Sequence, residues 1–333
     1  MERGAGTPIR ITGTGAYLPE AVLTNVELQV RTGLRDEWIL SRSGVRERRV
    51  AGKEEAASDL GLAAARRALE EAGCPPEALD LLVVATVTPD TLCPSTACWI
   101  QARLGAPRAL PFDVSASSAG FLVALSVARQ YLRSGAARRA LVVAAEVVTR
   151  YVDWSDRENC FLWGDGAAAA VLEAGPGPGA ALLALTLHAD GQQADRLLLP
   201  GGGSRVAPIT ARTVETGAHA IRMHGHQVYR SSVRRLVEAC REVLGEVDLP
   251  LEAVSLLVPH QANLRIIEAV AARLPLPMDR VIVTIGSTGN CSGASLPLTF
   301  DAARREGRLR PGDIALLAAF GGGLIWGAGL VRM

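Results

Sequence analysis

The chain of 333 residues has no charge excess, with 35 Lys and Arg against 34 Asp and Glu for a formal net charge of +1. Its basic residues are scattered, mostly as arginines on helix-like stretches, so the broad basic face that nucleic-acid binding requires is not expected. Only a local basic footprint is left open. Cysteine pairing is also missing. The six cysteines, at 74, 93, 98, 160, 240 and 291, show no CxxC or other metal-ligand spacing, which points to small core residues kept reduced. His219, His224 and His226 lie close together but do not share an i,i+4 helix face, so no metal site is expected there. P-loop, GxSxG and HExxH motifs are absent, and Gly13-Thr14-Gly15 lacks the third glycine that a dinucleotide site needs ahead of a helix. The opening MERGAGTPIRITGTG carries no apolar h-region, so no secretory signal is read and a cytoplasmic location is expected. The longest uncharged run, Ile314 to Val331, touches the lower length limit of a membrane span. It contains five glycines, three of them consecutive, and reads as two buried strands around a glycine turn.

What is present is a chain that is 49% hydrophobic and longer than a single core usually sustains, which predicts two domains or a duplicated one. Periodicity predicts a helix over 58–73, with Ser58 as N-cap and Gly73 as stop, and a fully buried strand over 79–88. A helix near 95–104, a strand over 109–115, a helix over 119–133 ending at Gly135 and a strand over 139–146 follow. The second half repeats the alternation: helix 225–244, strand 254–260, helix 263–273, strand 280–284, a small-residue loop, helix 294–306 and strand 313–319. Such alternation is the mark of α/β layers. Placing Gly135 on Gly307 aligns SAGFLVALSVARQYLRSG with NCSGASLPLTFDAARREG and sets Ser118 on Asn290, as in two copies of one unit. The Pro- and Gly-rich GPGPG at 175–179 is the expected boundary, giving halves 1–175 and 176–333.

Four places offer chemistry. Ser118 opens the first turn of helix 119–133, where unpaired N–H groups and the positive dipole end suit a nucleophile or an oxyanion, and equally suit a plain helix cap. His260 ends a buried strand and can project into a cleft as a proton carrier or sit as a structural histidine. Asn290 presents an amide on a glycine-rich loop that also reads as a turn. The glycines of AFGGGLIWG (319–327) allow backbone N–H groups to approach a ligand or simply to turn the chain.

Together these segments resemble the ketoacyl-ACP synthase III family of the thiolase superfamily. The resemblance rests on DEWILSRSGVRERR (36–49), FDVSASSAGF (112–121), GDGAAAAVL (164–172), VPHQANLRI (258–266), GNCSGAS (289–295) and AFGGGLIWGAGLVRM (319–333), in order along nearly the whole chain. It implies a duplicated five-layer α/β/α/β/α thiolase fold, a homodimer, and acyl-CoA and acyl carrier protein as partners with no further cofactor. In site terms it implies His260 and Asn290 as the pair that promotes decarboxylation of a malonyl thioester. The amides of residue 118 and Gly322 would form an oxyanion hole, and Trp38, Arg42, Arg157 and Asn263 would hold coenzyme A. Arg265 would dock the carrier protein, and Phe320 would stand near the nucleophile.

The sequence departs from the family at three positions. Ser118 stands where the family has cysteine. A hydroxyl, unlike a thiol, is not activated by a helix N-terminus alone and needs an adjacent base. The serine is read as an introduced substitution, as natural to a starter-unit or polyketide-type enzyme, or as the loss of acylation. Cys93 stands where short-chain members have a bulky phenylalanine reaching across the dimer into the acyl pocket, which implies a longer or branched primer. His226 replaces an asparagine, with no account for the change. The alternatives left open are an acyltransferase without condensation and a non-catalytic acyl-CoA or carrier-protein binding module.

Overall fold

A computed structural model describes residues 7–333. Nine strands form the main sheet: β1 (Ile9–Tyr17), β2 (Leu81–Ala85), β3 (Leu110–Val114), β4 (Arg139–Val147), β5 (Asp165–Ala174), β6 (Ala180–Ala189), β7 (Leu256–Pro259), β8 (Ile314–Gly321) and β9 (Ile325–Arg332). Their order is β7-β8-β9-β6-β1-β5-β4-β2-β3. Within the sheet the strands of the two halves pair where Arg10 and Ile11 of β1 meet Ala181 and Ala180 of β6. Each half has the same pattern. In the first, β2 pairs in parallel with β3 and β4, then β4–β5 and β5–β1 are antiparallel. In the second, β7–β8 is parallel, then β8–β9 and β9–β6 are antiparallel. The uncharged run 314–331 is thus two paired strands, and no helix among the described residues is long and apolar enough to cross a membrane.

The principal helices are α1 (Asp36–Ser43), α2 (Ala57–Ala72), α3 (Thr96–Leu104), α4 (Gly120–Arg133), α5 (Gly225–Gly245), α6 (Leu264–Arg273) and α7 (Ser295–Arg305). Strand alternation sorts them into layers. Leu81 and Val83 face a core shared with α4, α7 and Leu317 of β8, while Leu82 and Val84 face α2 and α3. In the second half Leu316 and Ala318 face α5 and α6. The order is therefore α2/α3, sheet, α4/α7, sheet, α5/α6, which is the five-layer α/β/α/β/α architecture of the thiolase fold.

Three local expectations fail. Ser58 does not cap α2. The Asp59 carboxylate accepts from the Ala56 N–H at 2.7 Å, and buried Ser58 donates instead to Asp90. Strand 280–284 shrinks to one bridge, Leu257 with Val281. The cause is Gln261, whose buried amide donates to Pro259 O and Ile282 O and accepts from the N–H groups of Thr284 and Ile285, taking over the ladder. The internal alignment also slips. Two matching turns, Ser117–Ala119 and Ser292–Ala294, lead into α4 and α7. Each starts on a serine at positive φ, 48° and 46°. Ser118 therefore corresponds to Gly293, not Asn290. Both helices still end at left-handed glycines, 135 and 307, because α7 is about one turn shorter, at 11 residues against 14.

Gly13 and Gly15 find their reason in packing, since a Cβ on either would overlap backbone atoms of α2 at Ala68 and Ala64. Replacing Gly13 by Ala should therefore lower stability by roughly 1–3 kcal/mol through overpacking, read as a lower urea midpoint; an unchanged midpoint would refute the close approach.

Candidate active site

The turn Ser117–Ala119 holds Ser118 at the base of a cavity of about 610 Å³, where its side chain shares the lining with His260, Asn290 and Phe320. All three polar residues are nearly closed off, with exposures of 3, 4 and 5%. Ser118 lies in the turn that leads into α4, beside the positive end of its aligned peptide dipoles. Gly321 at the end of β8 packs against this turn: a Cβ there would lie 2.6 Å from the Ser118 nitrogen. Gly322 follows and packs on Leu197 instead.

His260 is fixed where β7 ends, its N–H donating to Ala318 O at 2.7 Å. Its Nδ1 is buried with no hydrogen-bond partner among the described residues. Desolvation alone lowers its pKa to about 3, so the imidazole is neutral across the physiological range and keeps one donor and one acceptor. Asn290 is clamped between the halves. Its N–H donates to Leu162 O at 2.7 Å, its carbonyl accepts from Gly164 N at 3.1 Å, and its side-chain oxygen accepts from Ser292 N at 2.9 Å. The amide NH₂ is the group left for a ligand.

Towards solvent the same cavity is lined by Trp38, Arg42, Arg157, Asn263, Arg265 and His226. Phe161 meets the Trp38 ring edge-on at 5.2 Å, and the Arg42 guanidinium lies 5.4 Å from its centre. This is a flat aromatic with a cation beside it at a cavity mouth, a setting that suits a planar anionic ligand. Asn263 is largely engaged locally. It caps α6 by accepting from Arg265 N at 2.9 Å and donates to Arg42 O at 3.1 Å. Arg265 donates through Nε to Ser41 O at 3.0 Å while remaining exposed. Cys93 is exposed and does not line this cavity.

Several contributors carried no sequence signal of their own. Trp163 lines the cavity with its indole N–H held by Asn159 Oδ1 at 3.1 Å, and its backbone bridges to Asn290. Tyr229, Ser232 and Leu236, on one face of α5, complete the wall. Arg48, fully buried, donates to the carbonyls of Leu23 and Phe161 and to Asn25 Oδ1. It fixes the strand-like stretch that clamps Asn290. Burial lowers its pKa to about 10, which still leaves it charged. Within RERR it looked like any surface arginine.

Comparisons with known proteins fit this geometry. Profiles described as 3-oxoacyl-[acyl-carrier-protein (ACP)] synthase III and its C-terminal part match residues 112–191 and 244–333. A beta-ketoacyl-[acyl-carrier-protein] synthase III of Erythrobacter litoralis is 47% identical over 97% of this chain and 98% of that protein. The crystal structure of the Aquifex aeolicus 3-oxoacyl-[acyl-carrier-protein] synthase III superposes with a TM-score of 0.89 at 42% identity, covering 98% of this chain and 100% of that one. The priming beta-ketosynthase of the R1128 polyketide pathway gives a TM-score of 0.89 at 36% identity, covering 100% and 98%.

The lowered pKa of His260 has a thermodynamic consequence. Between pH 6.5 and about 3 the unfolded chain binds a proton at this ring that the folded chain does not, so stability falls as the solution is acidified through that window. Going from pH 6.5 to pH 5 the loss from this group approaches about 2 kcal/mol. Urea titrations of the protein and of His260→Asn should show a shallower acid decline in the variant; parallel declines would place the ring in contact with water.

Proposed function

The chain belongs to the 3-oxoacyl-[acyl-carrier-protein] synthase III family of thiolase-fold acyl-transferring enzymes, and we propose that it loads an acyl group from coenzyme A onto Ser118 and condenses it with a malonyl unit on acyl carrier protein. The observation that carries this reading is that nearly buried Ser118, His260 and Asn290 line one cavity together with the more exposed Trp38, Arg42 and Arg157.

In the first half-reaction the Ser118 oxygen attacks the thioester carbonyl and the coenzyme A thiol leaves with a proton. The amides of residue 118 and Gly322 receive the developing oxyanion. Neutral His260 has a lone pair to accept the hydroxyl proton, but its buried site disfavours the imidazolium that results. Serine loading is therefore slow by the standard of a thiolate. In the second half-reaction the malonyl thioester loses carbon dioxide and becomes an enolate. An N–H of His260 and the amide NH₂ of Asn290 donate to its oxygen. The enolate carbon then attacks the acyl ester, and the Ser118 oxygen leaves, taking from water the proton that decarboxylation of the malonyl carboxylate does not supply. Trp38 would stack on the adenine, Arg42 and Arg157 would meet the nucleotide phosphates, Asn263 the pantetheine, and Arg265 the acidic carrier protein.

A homodimer fits the free edge of the sheet at β3. Leu110 on that strand is exposed, as are Leu92 and Trp99 of the segment leading into and through α3. A second copy covering this edge would bring Cys93 towards its partner's acyl pocket. A priming role in polyketide synthesis is the second reading, favoured by the likeness to the R1128 enzyme.

Two outcomes test the proposal. Intact-mass measurement after mixing with acyl-CoA should show a slow covalent acyl adduct at residue 118, and Ser118→Cys should speed loading by about two orders of magnitude, since a thiolate needs no general base. Tight coenzyme A binding with no adduct in either protein would instead support a binding module, and loading without malonyl-dependent carbon dioxide release an acyltransferase that does not condense. Competition between primers should favour medium-chain acyl-CoA over acetyl-CoA by roughly fourfold per additional buried methylene; preference for acetyl-CoA would remove the role given to Cys93.

A further inference from the structure

The last residue of the apolar run RALVVAAE, Glu146 on β4, is completely buried beneath the nucleophile turn and has no part in the chemistry above. Its Oε2 accepts from Thr88 Oγ1 at 2.9 Å, Val87 N at 3.1 Å and Thr86 Oγ1 at 3.3 Å, all on the segment that follows β2. Its Oε1 accepts from Gly293 N at 3.3 Å across the junction of the halves. Gly293 is wedged there: a Cβ would lie 3.1 Å from Glu146 Oε1 and 3.1 Å from Ser117 O. Ser117 is the positive-φ residue directly before the nucleophile. A single carboxylate therefore ties the first half's strand ends to the second half's turn, and that turn abuts the nucleophile turn.

We propose that Glu146 is a positioning residue for acyl transfer: its carboxylate holds the Ser292–Gly293 turn against Ser117 and so fixes the Ser118 amide and hydroxyl in line with the thioester. This rests on the acyl-transfer reading given above. A carboxylate is the group suited to this place, because the Val87 and Gly293 N–H groups can only donate and the Thr86 and Thr88 hydroxyls donate to it as well.

No ion pair to Glu146 forms among the described residues. Burial raises its pKa to about 7, the N–H and hydroxyl donors of Val87, Thr88, Gly293 and Ser292 holding it back from a larger rise. The titratable groups that feel its charge are Tyr151 and Cys291, each raised by burial and neutral near pH 7, with Asp165 acting on Cys291 in turn. Protonation turns one acceptor oxygen into a donor facing N–H groups that can only donate or hydroxyls that must then reverse, which loosens the Gly293 contact. Loading should therefore rise with pH through one ionisation near neutrality.

Glu146→Gln, measured both alone and in the Ser118→Cys background, places an NH₂ among donors. Loading of residue 118 at pH 8 should fall at least tenfold, coenzyme A affinity should stay within threefold, and the neutral ionisation should vanish from the pH profile of the protein that keeps Ser118, where no thiol titrates. Amide hydrogen exchange should quicken at 117–119 and 292–294 and stay unchanged in α2. Should Glu146→Gln fail to fold, Thr88→Val removes one donor and should shift the ionisation upward. An unaltered loading rate, loss of coenzyme A binding in parallel with the rate, or persistence of the ionisation in the single variant Glu146→Gln overturns the inference. If neither nucleophile loads, the acyl-transfer reading fails, and the exchange pattern alone then decides whether Glu146 orders the two turns.

Discussion

The whole site depends on how closely two backbone turns approach at the junction of the halves. Ser117–Ala119 and Ser292–Ala294 meet in the middle layer, where α4 and α7 begin. Gly293 has little room for a side chain, and Gly321, which presses on the Ser118 nitrogen, has none. That proximity explains the run of tiny side chains in FDVSASSAGF and GNCSGAS better than any catalytic demand at each position. Serine, alanine and glycine are there because larger side chains would part the two turns. Ser118 sits where the turns that meet are the openings of helices, at which backbone donors lack partners.

Much of the fold was legible because its elements are long and apolar. The strands at 79–88, 109–115, 139–146 and 313–319 and the helices of all five layers read directly from periodicity, to within a residue or two at most ends. The failures share one cause, a side chain replacing a backbone partner. Asp59 took the capping role from Ser58, and Gln261 took the ladder from residues 282–285. A polar residue in a string of letters does not declare whether it serves itself or the chain beside it. The internal repeat was detected but misaligned, since a match anchored on the helix-ending glycines cannot show that one helix has lost a turn.

The site itself divides in the same way. Ser118, His260 and Asn290 were visible as chemistry-bearing residues on small-residue loops, and the cavity does gather them. Trp38, Arg42 and Arg157 were placed only through the family resemblance, because a half-buried tryptophan and two exposed arginines have no periodic signature. Arg48 and Glu146 escaped altogether. Each is a formal charge in a sequence where such charges are normally solvated, yet each is fully buried, Arg48 among carbonyls and Glu146 among donors. Glu146 did carry a faint trace as the lone acid closing an otherwise apolar strand.

The three-residue shortening of α7 means that the duplicated architecture is not functionally symmetric. Where the first copy places a hydroxyl, the second places a bare α-carbon at the matching turn, and brings His260 and Asn290 to the cavity from other positions. A chain built twice from one plan thereby gathers side chains of both copies into a single cavity, each copy supplying groups that the other lacks.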